Sequence, residues 1–288
     1  MFKHLEQLAD EGELQYSWET EIVREQLHGM ILDAAYAARV GRQLFSVIQL
    51  KAGHELKVTK ETKNSVDFNE AAEGAEGLVD VEAYTQDTIT PVKYFAIPTV
   101  SSEIREDANW DVIKRNIKAC GIQAGLKEDA NIVAAMADST YGFYAGTSNT
   151  HRVTTTGTEI DVVDIVNSIR LPKADDYYPN VMLIHPTQEA ELNQIDTFVE
   201  ADKVGSRITF EKGFCGRIYG LDVIVSSSCT ENYAYTLDQR WAGMLVVRRP
   251  LTTKIFEIPT RDSIGISVTF RQKAQVVQSN AGCDIVVS

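Results

Sequence analysis

Residues 1–44 are rich in Glu, Gln, Leu and Ala and carry no proline, a composition that predicts one or two helical pieces. Their apolar stripe through Ile22, Gln26, Met30, Ala34, Ala37, Ala38 and Val40 is thin. The small residues Ala34, Ala35, Ala37 and Ala38 suit a surface that lies along a partner, so this stretch reads as an arm. From Phe45 the period changes to two, and residues 46–50, 54–60 and 78–84 read as extended chain. Between them the run 69–77 is small, acidic and glycine-bearing. Alternating strands about such a tip predict a long hairpin with little apolar surface of its own, marginal when alone.

Residues 92–100 read as one strand, limited by Pro98 to an edge or an end. Asp107 or Asn109 can then cap a helix whose apolar face runs Trp110, Ile113, Ile117, Cys120, Ala124 and, after a slip of register, Ala130, Val133 and Ala137. Over 107–137 it would span roughly 45 Å at 1.5 Å per residue, long for a globular protein. Gly121 and Gly125 weaken its middle. A Gly/Ser/Thr-rich loop over 141–158 follows, then a short helix from Asp161, a buried strand over 180–185 and a helix from Pro186. Further strands are expected over 216–226, 233–237, 242–247 and 253–258, with alternation resuming from 263 to 288. Strands and helices intermixed without a regular βαβ repeat predict an α+β fold.

Composition adds bounds. Hydrophobic content of 44% and charged content of 24% are ordinary globular values. A formal charge of −13 argues against a surface that grips nucleic-acid phosphates. It leaves open a merely solvated acidic surface or a container wall to which the contents do not adhere. Cys120, Cys215, Cys229 and Cys283 lack the short spacings of zinc or redox sites and read as reduced thiols. No segment approaches a membrane span and the first residues lack a signal-peptide core, so a soluble, intracellularly made protein is expected.

Catalytic motifs are missing. There is no phosphate-cradling glycine loop, dinucleotide fingerprint, nucleophile elbow or HExxH helix. His185 precedes a proline at a strand end and reads as structural, while His28, His54 and His151 stand far in sequence from carboxylates or thiols at ligand spacing. Asp161 with Asp164 and Asp175 with Asp176 sit where helix starts and loops favour Asp. The expectation is no catalytic residue, no cofactor, no metal and no enzyme. The rival from another class is a soluble α+β hydrolase with a site assembled from distant parts.

The run KYFAIPTVSSEIRED, residues 93–107, resembles the stretch leading into the spine helix of Hong Kong 97-type major capsid proteins of tailed double-stranded DNA viruses. Ser101, Glu103 and Asp107 take the positions of that family's Ser-x-Glu-x-x-x-Asp, and Glu128-Asp129 stand for its acidic pair. Residues 217–226 are similar to an axial-lobe strand of the family, with Asp222 where proline is common. The order of parts extends the resemblance over nearly the whole chain. It implies an N-terminal arm (1–51), an extended loop (52–90), a peripheral domain with the spine helix (91–140 and 251–288) and an axial domain (141–250).

The implied function is a structural subunit that self-assembles into an icosahedral virion head around the genome. The implied partners are further copies in pentamers and hexamers, separate scaffolding, portal or decoration proteins, and packaged double-stranded DNA bound without sequence specificity. No membrane is implied, and synthesis is expected in the host cytoplasm. Asn69, Glu73, Gly74, Glu76, Gly77, Ala34 and Ala38 are the expected inter-subunit contacts. The nearest rival with the same fold is an encapsulin-type compartment storing cargo enzymes.

Overall fold

The structure is a computed structural model that describes residues 28–36, 39–61, 70, 84–101, 110–144, 151–194 and 216–287. Its strands are β1 (Ser46–Gln49), β2 (Leu56–Glu61), β3 (Tyr84–Ile89), β4 (Val92–Ala96), β5 (Thr99–Ser101), β6 (Arg152–Thr154), β7 (Val181–Ile184), β8 (Arg217–Ile218), β9 (Leu221–Val225), β10 (Tyr233–Leu237), β11 (Gly243–Ile258), β12 (Ser263–Val276) and β13 (Gly282–Val286). The helices are α1 (Trp110–Met136), α2 (Val162–Ala174) and α3 (Pro186–Leu192), with a further helical segment at 28–36.

Three sheets form among the described residues. One has the order β1-β11-β12-β4 with β5 also on β12, the second runs β6-β13-β10-β7-β9-β8, and β2 pairs with β3 alone. Helix and strand mix without a βαβ repeat, as the sequence predicts. Three differences from the sequence reading have local causes. The 92–100 strand splits into β4 and β5 around Ile97-Pro98, because Pro98 has no N–H to give to a ladder. The strands expected at 242–247 and 253–258 are one, β11, which carries Pro250 within it. Its pairing with β12 shifts register between Val247 and Arg249 and again between Arg249 and Thr252, so proline falls where no ladder bond is needed. The strand expected over 216–226 is split into β8 and β9 by a turn at Tyr219 (φ 48°) and Gly220 (φ 88°), and the pairing of β8 with β9 ends at Asp222.

Residues 251–288, expected to close the helix-bearing lobe, divide between the sheets. β12 completes the first sheet, while β13 inserts into the second between β6 and β10. The largest core cluster lies between the two sheets. It joins Leu44 and Phe45, the C-terminal half of α1 through Ile132, Val133 and Met136, and strand residues Leu183, Tyr235, Leu237, Leu245 and Val276. On the other face of the second sheet, Ile165 and Ile169 of α2 pack with Met182, Ile184, Ala234 and Ile285. Asp161 caps α2 with a reciprocal capping box through Asp164, so these carboxylates do structural work.

The middle of α1 is a crossing point. A Cβ on Gly121 would stand 2.6 Å from the carbonyl oxygen of Ile31, so only glycine lets the 28–36 segment lie this close. Ile31 is fully buried there with Ile266 and Val268 of β12.

Candidate assembly interface

A hairpin is present, but its described returning strand is β3 at Tyr84–Ile89 rather than the expected 78–84, of which 78–83 lie outside the described residues. β2 and β3 pair from Leu56 with Ile89 to Glu61 with Tyr84, and among the described residues no other strand joins them. Leu56, Val58 and Lys60 are half-buried while Lys57 and Thr59 are exposed. Lys60 pairs with Asp87 across the strands and stands 5.7 Å from the Tyr141 ring centroid, while Tyr84 at the far end is exposed. Two strands with so little apolar burial are marginal without a neighbour.

The body offers a surface of opposite character to the chain's net charge of −13. β4 is an edge strand among the described residues, on which Val92 and Phe95 are exposed, Phe95 at 68%, with Ile97 exposed just after it. Lys93 stands 5.6 Å from the Phe95 ring, and Lys127 of α1 stands 5.7 Å from that of Tyr94. On α1, Arg115, Lys118 and Ile122 are exposed at helical spacing along one side. Lys93 and Phe95 thus lie on one face of β4, and Tyr94 with Lys127 of α1 on the other, so basic residues flank the strand on both sides. Among residues 62–83, all but Glu70 outside the described residues, the sequence places Asp67, Glu70, Glu73, Glu76, Asp80 and Glu82 against a lone Lys63.

The arm joins the body through the acidic pair of α1. Asp129, 2% exposed, accepts the backbone N–H of Val40 at 2.8 Å and of Gly41 at 2.7 Å. It thereby acts as a cap, supplied from another element, for the 3-10 turn Gly41–Gln43. Arg42 donates to Glu128 from Nε at 2.5 Å and from Nη2 at 3.2 Å, and Arg39 Nη1 stands 3.7 Å from the same carboxylate. Burial raises the pKa of Asp129 despite the two N–H bonds. These residues fix where the arm enters the core, and sequence reading noted the acidic pair without its partners. The signal available was two adjacent buried-side carboxylates on a helix and a glycine after basic residues 88 positions away.

Titratable groups elsewhere are structural. His185 caps α3 by accepting the Thr187 N–H at 3.2 Å. His151, distant in sequence from any carboxylate, is brought by the fold to 3.1 Å from Asp175, with Nδ1 3.0 Å from the Gly282 carbonyl oxygen. Arg152 donates from Nε to Asp284 at 2.8 Å, and burial raises that carboxyl's pKa against this bond. Arg217 donates to Asp222 at 2.7 Å and holds that carboxyl below its ordinary value. Burial pushes the Cys229 thiol up to about 12 and the Cys283 thiol up as well, the reverse of a reactive cysteine. Among the described residues no group of three His, Cys, Asp or Glu could hold a metal ion, and no helix is long and apolar enough to cross a membrane.

Of the expected contact residues, Ala34 is half-buried in the 28–36 segment. Ala38, Asn69, Glu73, Gly74, Glu76 and Gly77 lie outside the described residues.

Comparison with known proteins gives these features a context. A family model described as phage capsid protein matches residues 86–278. No curated protein matches the sequence. Solved structures of similar fold include the capsid of cyanophage P-SCSP1u, with TM-score 0.68 and 12% identity over 87% of this chain and 88% of that one. A virus-like particle from Pyrococcus furiosus has TM-score 0.63 and 15% identity over 91% and 99%. An encapsulin complex from Synechococcus elongatus has TM-score 0.60 and 12% identity over 84% and 85%. The α+β architecture is thus the Hong Kong 97-type fold, with a self-paired hairpin and one long helix set against two sheets. The chain belongs to the phage capsid protein family, as a shell-forming structural subunit.

Proposed function

We propose that copies of this chain close into the icosahedral head of a tailed double-stranded DNA virus or prophage, as pentamers and hexamers around the genome. The observation that carries this reading is the hairpin, which pairs only with itself among the described residues, on a body that exposes Arg115, Lys118 and Ile122 along one side of α1. The hairpin's acidic tip sequence is complementary to the exposed basic residues of α1, so a neighbour's tip would meet Arg115 and Lys118. Asn69, Glu73, Gly74, Glu76 and Gly77 are then contacts through the tip, and Ala34 and Ala38 contacts through the arm. Many weak contacts of this kind add by multivalency.

The division into arm (1–51), loop (52–90), peripheral domain (91–140 and 251–288) and axial domain (141–250) is carried forward with one adjustment. β13 pairs with strands of the axial segment and is assigned there. The role is structural rather than catalytic, and the family takes the place of the hydrolase alternative. DNA is enclosed without sequence-specific contacts, consistent with an acidic chain, and separate scaffolding, portal or decoration proteins are the further partners of this reading. Synthesis in the host cytoplasm and residence in the virion complete the reading, with no membrane partner.

Electron microscopy of the purified full chain tests it: closed particles are expected, and a subunit that stays monomeric or dimeric at every salt concentration overturns it. Particles from the native source that hold one enzyme species instead of DNA would make it an encapsulin-type compartment. Deleting residues 69–77 should leave a folded subunit and abolish closed particles. Normal assembly of that variant would remove the tip from the interface.

A further inference from the structure

The hairpin leaves the first sheet from both of its edges. One transverse row of that sheet runs Gln49, Val247, Gln272, Val92. The outgoing leg continues from Gln49 at one edge, the returning leg arrives at Val92 on the other, and the legs first pair at Leu56 with Ile89. With β11 and β12 between them, the legs begin about 14 Å apart at ordinary strand spacing. They converge over the two central strands.

Just beyond the row, each central strand supplies an arginine. Arg248 of β11 donates from Nη1 to the carbonyls of Leu50 at 2.9 Å and Lys51 at 2.7 Å, on the outgoing leg. Arg271 of β12 donates from Nε to the Pro91 carbonyl at 3.0 Å, on the returning leg, and its Nη2 stands 3.0 Å from Nδ1 of His54 on the outgoing one. The register shift between Val247 and Arg249 is the kind of bulge that re-aims a side chain, and it falls at Arg248. Pro91 and Ile89 are buried, so the returning leg is seated as well as bonded. A guanidinium donates in fixed directions within one plane, so each clamp constrains angle as well as distance.

We propose that Arg248 and Arg271 are positioning residues that set the angle at which the hairpin leaves the sheet, and through it the curvature at which neighbouring copies overlap. The proposal rests on the reading that the hairpin lies on a neighbour. The leverage is large: β2 is about 20 Å long at 3.4 Å per residue, so a tilt of about 10° at its base moves its far end about 3–4 Å. That displacement is comparable to one residue of strand register.

Two measurements on the full chain test it. Electron microscopy of the Arg248→Gln/Arg271→Gln double variant should show loss of the single narrow particle diameter, giving mixed sizes or open sheets, while circular dichroism stays that of wild type. Particles of wild-type diameter from this variant overturn the proposal. In the unassembled subunit, spin labels at Thr59→Cys and Lys118→Cys should give one narrow distance distribution with both arginines present and a broad one without them; an unchanged narrow distribution also overturns it. If wild type forms no particle, the shell reading fails, and the spin-label distances still decide the clamp. If the double variant does not fold, the single changes Arg248→Lys and Arg271→Lys, which keep charge but lose the planar fork, are read by the same distances and diameters.

Discussion

Replacing Asp129 with alanine probes the joint between arm and helix. The side chain is 2% exposed and accepts two backbone N–H groups, from Val40 and Gly41. Removing it leaves both donors buried without an acceptor, at about 1–3 kcal/mol each. Part of that is returned because no carboxylate is then dehydrated, which leaves a net loss of about 2–4 kcal/mol. For a chain of this size the loss corresponds to a fall in Tm of about 3–7 °C.

The assay is thermal or urea unfolding of the unassembled subunit, with Glu128→Gln in parallel. That second change should cost less, because the side chain of its partner Arg42 is 32% exposed and can turn to water. The pH dependence has a definite sign. Burial raises the Asp129 carboxyl above its ordinary 3.8, so its contribution is greatest below that value and declines as pH rises through the folded pKa. The gap between wild type and Asp129→Ala is therefore widest in acid and narrows toward neutrality. An Asp129→Ala variant within about 0.5 kcal/mol of wild type would show that water or a side chain already serves those N–H groups. A gap that grew with pH would mean that the two hydrogen bonds outweigh burial.

Gly121→Ala gains up to about 1 kcal/mol of helix propensity but drives a methyl toward the backbone carbonyl of Ile31, an overpacking cost of about 1–3 kcal/mol. Backbone cannot rotate away as a side chain can, so a lower Tm is expected, and a raised Tm would mean that the 28–36 segment does not cross there. Cys229 and Cys283 should resist iodoacetamide in the native protein at pH 8 and react only on unfolding, with half-buried Cys120 reacting before them. Peptide mass mapping reads this site by site, and native labelling of Cys229 would contradict the burial argument.

What sequence revealed and what it hid divide along the range of the interaction. The helix α1 and the outgoing strand β2 show in local periodicity, because apolar spacing is set within a few residues, whereas the returning strand, expected at 78–84, pairs at Tyr84–Ile89. The capping of α2 by Asp161 and of α3 by His185 is legible for the same reason. Partner choice is not. Asp129 reaches residues 88 and 89 positions away, and β1 lies parallel to β11 almost 200 residues later, as in Ser46 opposite Met244. The strands expected apart at 242–247 and 253–258 are one, because a register shift lets Pro250, which has no N–H to donate, sit inside a central strand. The arginine clamp likewise depends on a register shift that no local pattern records.

The placement of β13 carries a consequence for timing. A ribosome makes the hairpin within the first ninety residues, but the sheet beneath it needs β11 and β12, and the second sheet gains its strand between β6 and β10 only at residues 282–286. Contacts of such long sequence separation form late and slowly. A nascent chain therefore displays its hairpin long before it owns the body on which a neighbour's hairpin could rest. Polymerisation in the midst of translation is thereby disfavoured, and an order is imposed on the life of the protein: each copy finishes folding before it can recruit the next.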